Sequence, residues 1–329
     1  MRGKARRPRA NSYTHSVTPR VLAIVPTFRP DPTELTDLVA TLLRQDVPVL
    51  LVDDGSPCTS DEALRSAHAA GAAVLRHPAN EGIARGLNDG LRAATQAGAR
   101  WLLTVDQDSD VCGDYIERLM AAADRASEAL GSQRVGAVAA GSIADASGGL
   151  SYPVRMVGAT LTTPEVIQTG TLWDVQAMTA VGGFDETLGI DAVDAAACLR
   201  LRQTGRSIVL AEGLTVHHRL GDGRQVRVLG RSVLSSGHHA ERRTTMVRNR
   251  LRLFPAEFAQ DPVHALRTIR RVAVNTVLAV TIEDDRWAKA KASARGLIPS
   301  REEWPMRALP AKPVNAPEAA KLDQIAFGE

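Results

Sequence analysis

From residue 21 to about residue 130, short apolar runs alternate with segments of helical periodicity. The apolar runs lie at 21–25, 47–52, 73–76 and 101–105, and each is followed by a segment with apolar residues three and four apart. Successive parallel strands need a crossover, usually a helix, that returns the chain to the same end of the sheet. The alternation therefore predicts an α/β fold built on a mostly parallel sheet with helices on both faces.

The second half of the chain has a different pattern. Apolar runs at 135–140, 166–175 and 208–210 are separated by glycine-rich turns, which indicates strands of mixed direction. A helix-rich stretch begins at about Thr244. In chain order we predict a basic flexible tail at residues 1–20 and an α/β domain at residues 21–235. A helical extension should follow at residues 236–305, and a poorly ordered tail at residues 306–329.

The N-terminal segment and the cysteines indicate the compartment. Residues 1–20 hold six basic side chains and no acid, and no apolar stretch of the signal-peptide kind follows them. No segment has the roughly 18 uninterrupted apolar residues that a membrane span requires. The 3 cysteines have no CxxC spacing, which argues against a disulfide framework and against a zinc site. We expect a cytoplasmic protein.

Basic residues also cluster between Arg219 and Arg252. These arginines could bind a diphosphate or an anionic membrane surface, or they could form a solvated face. Arginine outnumbers lysine throughout the chain, so we give overall basicity no weight and predict no nucleic-acid partner. We predict peripheral contact with the inner face of the cell membrane.

Asp106 and Asp108 directly follow the strand predicted at 101–105. A loop that curls at a strand end can turn both carboxylates toward one hard cation, Mg²⁺ or Mn²⁺. Such a cation can neutralise a departing diphosphate without proton transfer. The alternative is that the two carboxylates cap the next helix.

Asp53 and Asp54 follow another predicted strand end. A carboxylate there could accept a hydrogen bond from a nucleoside, as acids do in other sheets of this kind. The sequence Asp-Gly-Ser that starts at Asp54 is also an ordinary turn, so both interpretations stay open.

Two further groups of polar residues lie in the second half. Asp191 and Asp194 precede a predicted helix, where they could interact with the helix dipole, or one of them could be a general base. The adjacent pair His217 and His218 stands beside a Gly-Asp-Gly sequence. Such histidines could bind a metal or a diphosphate, or they could be structural.

Taken together and in order, these clusters resemble the family 2 glycosyltransferases of the GT-A type. The bacterial rhamnosyltransferase branch, which is also similar to galactofuranosyltransferases, is the most similar. The resemblance covers about residues 21–298. Its parts are VPTFRP at 25–30, VDDGS at 52–56, NEGIARGLNDG at 80–90, LTVDQDSD at 103–110, GGFDE at 182–186, IDAVDAAACLRLRQTG at 190–205, HHRLGD at 217–222 and RN at 248–249.

The resemblance implies a GT-A fold and a role for each matching residue. It places donor nucleotide binding at Pro26, Thr27, Asp53, Asp54, Asn80, Gly82 and Asp106. It places a Mg²⁺ or Mn²⁺ ion at Asp106, Asp108 and His218, and the donor and acceptor sugars at Gly183, Phe184, Asp185 and Asp191. It makes Asp194 the catalytic base. The implied reaction moves rhamnose, or else galactofuranose, from a nucleoside diphosphate sugar to a glycan or lipid-linked acceptor with inversion.

Two departures from the family pattern leave an alternative. The alanines at 195–197 replace acidic and bulkier residues, and Thr244 and Thr245 replace a tyrosine pair. The alternative function is a non-catalytic nucleotide-sugar-binding scaffold derived from such an enzyme. A dehalogenase-type phosphatase would need its nucleophile after the first strand, where Pro26 and Thr27 stand, and a nucleotidyltransferase would need a glycine-rich loop there.

Overall fold

The computed structural model of this chain describes residues 19–145, 148–218, 224–228, 231–235 and 239–298. Its strands are β1 Val21–Thr27, β2 Val49–Asp53, β3 Ala73–Arg76, β4 Trp101–Thr104, β5 Ser109–Asp110, β6 Val135–Asp145, β7 Gly148–Ser151, β8 Arg155–Val157, β9 Thr160–Thr163, β10 Thr171–Asp174, β11 Ser207–His218, β12 Arg224–Val228 and β13 Arg231–Ser235. Its α-helices are α1 Pro32–Leu43, α2 Asp61–Ala69, α3 Ile83–Gln96, α4 Tyr115–Leu130, α5 Val175–Ala180, α6 Val193–Gln203, α7 Ala240–Gln260, α8 Pro262–Thr281 and α9 Arg286–Gly296.

One sheet of 11 strands organises the fold. The order is β3-β2-β1-β4-β10-β6-β11-β9-β8, with β5 paired to β11 and β7 paired to β6. Strands β1 to β4 pair in parallel, β10 is antiparallel to both of its neighbours, and β6 and β11 are parallel. The predicted α/β fold, with a parallel first half and mixed later strands, is confirmed.

Both faces of the sheet are covered, which explains why its central strands are apolar throughout. Alternate residues of β1 point to opposite faces. Ala23 and Val25 join the core on the side of α1, α2 and α4, whereas Leu22 and Ile24 join the core on the side of α3, α5 and α6. Burial of a large aliphatic side chain contributes about 1.5–3 kcal/mol, so each covered face adds substantially to stability.

Side-chain caps set two helix starts that the sequence pattern placed loosely. The helix predicted after the first strand begins at Pro32, because the Asp31 carboxylate accepts hydrogen bonds from the backbone N–H groups of Thr33 and Glu34. The apolar run at 166–175 contains only the short strand β10. It ends there because the Asp174 carboxylate accepts from the Ala177 N–H and starts α5.

Helices α7, α8 and α9 form the helical C-terminal region and pack on one another. The helix expected near Thr244 begins four residues earlier, at Ala240. An ion pair of 2.6 Å joins Arg155 of β8 to Asp261, whose carboxylate also caps α8. None of the described helices has the length and apolar character that crossing a membrane requires. The predicted tails at 1–20 and 306–329 lie almost wholly outside the described residues.

We predict that Gly55→Ala destabilises the protein by at least about 2 kcal/mol. Gly55 has a φ of +71°, and a Cβ there would lie 2.5 Å from the Ala79 carbonyl carbon, which is backbone and cannot rotate away. Urea unfolding of the two proteins measures the difference. Gly113→Ala is the matched control, since a Cβ at Gly113 meets nothing within 4 Å. An equal decrease in the free energy of unfolding in both variants would contradict the prediction.

Candidate active site

The polar residues predicted from sequence meet at the carboxyl edge of the parallel strands. Thr27 ends β1, Asp53 ends β2, and Asp106 follows β4. Since these strands are parallel neighbours, their carboxyl ends share one edge of the sheet, where ligands bind in sheets of this kind. The short strand β5 pairs with the end of β11 and sets His218 opposite Ser109, which brings the histidine beside this edge.

Asp106, Asp108 and His218 form a compact group of metal-ligand atoms. One ligand atom from each residue lies within 4.8 Å of the others. The Nε2 atom of His218 is 3.5 Å from Oδ2 of Asp106, and its Nδ1 atom is 3.4 Å from Oδ1 of Asp108. Two carboxylates and one imidazole, all partly buried, suit a hard divalent cation such as Mg²⁺ or Mn²⁺.

The surroundings of Asp106 favour a bound cation. Burial raises the pKa of Asp106 to about 6, with His218 opposing the shift and Asp108 adding to it. A bound cation would favour the ionised form of this carboxylate and offset the free-energy cost of burying its charge. The side chain of Gln168 donates a hydrogen bond to Asp106, and Thr169 accepts one from the Asp106 backbone N–H at 2.8 Å. Sequence analysis missed Gln168 and Thr169, which carry no motif of their own.

The carboxylate of Asp54 holds the adjacent loop in place. Its two oxygens accept hydrogen bonds from the backbone N–H groups of Glu81 at 2.7 Å and Gly82 at 2.9 Å. The Nδ1 atom of His77 lies 3.0 Å from the same carboxylate. Both oxygens of Asp54 thus have partners within the protein, so its clearest role is to position the loop that carries Asn80, which is exposed.

Asp53 keeps one oxygen for a ligand. Its Oδ2 atom lies 3.0 Å from Nε of Arg76 and accepts from the Ser56 N–H at 3.2 Å. Its Oδ1 atom is buried and has no hydrogen-bond partner among the described residues, and the same is true of the Thr27 hydroxyl. Buried polar atoms without partners are rare in native proteins and indicate a missing partner. Pro26, next to Thr27, is partly buried.

Asp194 lies in the first turn of α6, within electrostatic range of the metal-ligand group. Burial raises the pKa of Asp194 to about 6, Arg250 lowers it, and Glu165 raises it. The charge of Asp194 in turn raises the pKa of Asp106. One Asp194 oxygen accepts from the Ala195 N–H at 2.7 Å. A carboxylate whose pKa lies near the working pH is suited to general base catalysis.

Asp191 is in a different environment from Asp194. Its two oxygens accept hydrogen bonds from Arg242 at 3.1 Å and from the Thr245 hydroxyl at 2.8 Å. These contacts tie the loop before α6 to α7. Thr245, one of the departures from the family pattern, therefore has a structural contact of its own.

The alanine run at 195–197 has a packing explanation. All three side chains are buried in the core between α6 and the sheet. Bulkier side chains would not fit at this helix start without moving the backbone. The run therefore does not form an acceptor-facing surface.

Phe184 and Asp185 of the turn at 182–186 have buried side chains. The Phe184 ring is 2% exposed and meets the Trp173 ring edge to face at 5.4 Å between centroids. Asp185 accepts from Arg200 at 2.8 Å. Gly183 has a φ of +71°, and a Cβ there would lie 2.5 Å from an oxygen of Asn88. Contact of Gly183, Phe184 and Asp185 with a sugar remains a prediction.

Asn249 fixes the loop that presents Asp191 and Asp194. Its side chain is fully buried, and its Nδ2 atom donates to the carbonyl oxygens of Leu188 at 2.7 Å and Asp191 at 2.8 Å. In the sequence, Asn249 stands out only as part of the Arg-Asn motif. Its role follows from contacts between residues about 60 positions apart, which no local pattern reveals.

A second group of possible ligand atoms consists of Glu165, Glu257 and His264. Glu165 accepts two hydrogen bonds from Arg250, at 2.7 and 3.1 Å, and one from Arg271 at 3.0 Å. Although burial alone would raise the pKa of Glu165, Arg250 and its other partners hold that pKa well below its usual range. Guanidinium groups already balance the charge, so this group is unsuited to a metal ion.

Comparison with known proteins agrees with this geometry. Residues 22–167 match the family model for glycosyl transferase family 2. The dTDP-rhamnosyl transferase RfbF of Shigella flexneri is 25% identical over 283 residues, which cover 81% of this chain and 90% of that protein. The predicted resemblance to the rhamnosyltransferase branch is confirmed.

Solved structures share the fold. S. aureus TarS superposes with a TM-score of 0.50 and 15% identity, over 86% of this chain and 50% of that one. GalNAc-T7, crystallised with UDP, GalNAc and Mn²⁺, gives a TM-score of 0.51 and 11% identity, over 83% of this chain and 54% of that one. The predicted GT-A fold is confirmed.

We predict that Asp194→Asn stabilises the protein at pH 7.5 by about 1–3 kcal/mol but not at pH 4. The folded pKa of about 6 lies above the ordinary value of 3.8. As pH rises, the Asp194 carboxyl group is therefore ionised in the unfolded chain before it is ionised in the folded chain. The free energy of unfolding of the wild type falls as pH rises from 3.8 to about 6. Urea unfolding at both pH values measures the difference.

Asp191→Asn is the control for this experiment, because Asp191 is paired with Arg242 and Thr245 and its replacement should not stabilise the protein at pH 7.5. A stability difference between Asp194→Asn and wild type that does not change with pH would show that Asp194 is not held in an unfavourable ionised state.

Proposed function

We propose that the chain, whose residues 22–167 match the family model for glycosyl transferase family 2, transfers a sugar from a nucleoside diphosphate to an acceptor hydroxyl with inversion. The observation that carries the proposal is the metal-ligand group at the carboxyl edge of the sheet, with Asp194, a carboxylate of raised pKa, near enough to Asp106 for their charges to interact. Rhamnose is the first candidate sugar, supported by the similarity to a dTDP-rhamnosyl transferase, and galactofuranose is the second.

In this proposal, Asp106, Asp108 and His218 hold a Mg²⁺ or Mn²⁺ ion. The bound cation would supply positive charge that neutralises the departing diphosphate. The Oδ1 atom of Asp53 and the hydroxyl group of Thr27, which have no partner among the described residues, lie at neighbouring strand ends. In this proposal they form hydrogen bonds with the nucleoside. The Asp54 carboxylate keeps the loop with Asn80 and Gly82 beside them.

Asp194 acts as the general base. It removes the proton of the acceptor hydroxyl while that oxygen forms a bond to the anomeric carbon. The bond from the anomeric carbon to the diphosphate oxygen breaks on the opposite side, so one displacement inverts the configuration. Positioning of the two reactants on one edge supplies much of the rate enhancement in such a reaction.

The acceptor class is part of the proposal. We propose a glycan or a lipid-linked sugar as the acceptor, together with peripheral contact of the protein with an anionic membrane. The arginines between Arg219 and Arg252 that motivate the membrane contact lie partly outside the described residues. The test of the proposed function incubates the full chain with Mn²⁺ and a panel of nucleotide sugars, with and without acceptors, and measures release of nucleoside diphosphate. No release with any donor would refute it.

We predict that Asp108→Ala lowers transfer by roughly 10²-fold or more, because one of two carboxylate ligands is lost. Excess EDTA should abolish transfer by the wild type, and Mn²⁺ binding followed by electron paramagnetic resonance should weaken in the variant. Asp110→Ala is the matched control, since Asp110 is exposed two residues further on, in the short strand β5, and lies outside the ligand group. Full turnover in EDTA would contradict the metal role.

We predict that Asp194→Asn lowers kcat by roughly 10² to 10⁴ with little change in donor binding, because the amide lacks a basic oxygen. Asp191→Asn should lower kcat much less. In the wild type, kcat should fall as pH decreases through about 6, since protonated Asp194 cannot accept a proton. If Asp191→Asn abolished transfer while Asp194→Asn kept it, the base would be Asp191.

A further inference from the structure

A cavity of about 700 Å³ lies beyond Asp194, between the sheet and α8. Ile143 of β6 and Tyr152 line it on the sheet side. Its charged lining residues are Glu165, Asp194, Arg250, Arg267, Arg270 and Arg271. The cavity therefore connects the candidate base with a row of arginines, and nothing in the donor site described above uses it.

The charges in this cavity do not balance internally. Arg250 and Arg271 both donate to Glu165, so that carboxylate already has two guanidinium partners. Neither Arg267 nor Arg270 forms a hydrogen bond or an ion pair with any residue that the structure describes, and both are exposed. Guanidinium groups that line a cavity without an acidic partner are suited to a phosphate, which they bind through paired N–H donors.

The same face of α8 is partly apolar. Val263, Leu266, Val274 and Val277 are exposed large aliphatic side chains. Successive members are three, eight and three residues apart, so they share one side of the helix with Arg267 and Arg270. Exposed aliphatic side chains beside basic ones suit a ligand that carries a hydrocarbon chain next to its phosphate.

We propose that this cavity is the acceptor site and that Arg267 and Arg270 bind a phosphate or diphosphate group of the acceptor. The acceptor sugar would then lie between these arginines and Asp194, with its hydroxyl at the Asp194 carboxylate. The inference rests on the proposed function for the role of Asp194. It adds a second anion site on α8, separate from the metal-ligand group that takes the donor diphosphate.

Direct binding tests the site without requiring transfer. The full chain is titrated in EDTA, which removes metal-dependent binding at the donor site, with farnesyl diphosphate, glucose 1-phosphate and uncharged farnesol. Arg267→Gln/Arg270→Gln is compared with wild type. Arg286→Gln/Arg295→Gln is the matched control, because Arg286 and Arg295 are exposed on α9 and do not line the cavity.

We expect farnesyl diphosphate to bind the wild type and the control variant equally, and to bind Arg267→Gln/Arg270→Gln about tenfold or more weakly. Binding of glucose 1-phosphate with the same arginine dependence would support a phosphate site that also takes soluble acceptors. Binding of farnesyl diphosphate alone would support a lipid-borne acceptor. Failure of both phosphates to bind, equal affinity in all variants, or equally tight binding of farnesol would overturn the proposal.

Kinetics separate this inference from the proposed function. With a working donor and acceptor, Arg267→Gln/Arg270→Gln should raise the KM for a phosphorylated acceptor about tenfold or more while donor KM and kcat stay near wild type. A purely structural role would change kcat and donor KM as well. Absence of transfer by the wild type would refute the proposed function and leave the binding result to decide the anion site.

Discussion

Parallel pairing of β1, β2 and β4 is the constraint on which the site depends. Backbone hydrogen bonds fix the register of the three strands, and the carboxyl ends therefore stop at one edge. Side chains that follow those ends must share the same small space, whatever their distance along the chain. The parallel pairing of β6 with β11 extends the sheet and carries the end of β11 to the same edge, where β5 holds it.

The carboxylates at this edge fall into two kinds. Asp54, Asp185 and Asp191 have oxygens occupied by N–H or O–H donors of the protein, and they hold loops in place. Asp106 and Asp194 are partly buried with fewer compensating donors, and the pKa of each is raised to about 6. Burial without full compensation costs folding free energy, and in native proteins such groups concentrate where chemistry takes place.

The helical C-terminal region holds the loop before α6 and the surroundings of Asp194. Asn249 of α7 holds the carbonyl groups of the loop before α6, and Arg250 next to it pairs with Glu165 beside Asp194. Helix α8 then closes the cavity beside Asp194 with its arginines. The orientation of Asp194 and the shape of the space in front of it are thus set by helices that lie 50 to 80 residues later in the chain.

Local periodicity and the residues next to strand ends are enough to predict the α/β class, the parallel first half of the sheet and the positions of the acidic clusters. The family motifs also predicted Asp106, Asp108 and His218 as a group, although Asp106 and His218 are 112 residues apart in the chain. Tertiary structure alone decided which carboxylates are paired and which are not, since Asp54, Asp191 and Asp194 look alike in sequence. It also decided the contacts of Gln168 and Asn249, because a side chain's hydrogen-bond partners and burial depend on distant segments that no local pattern records.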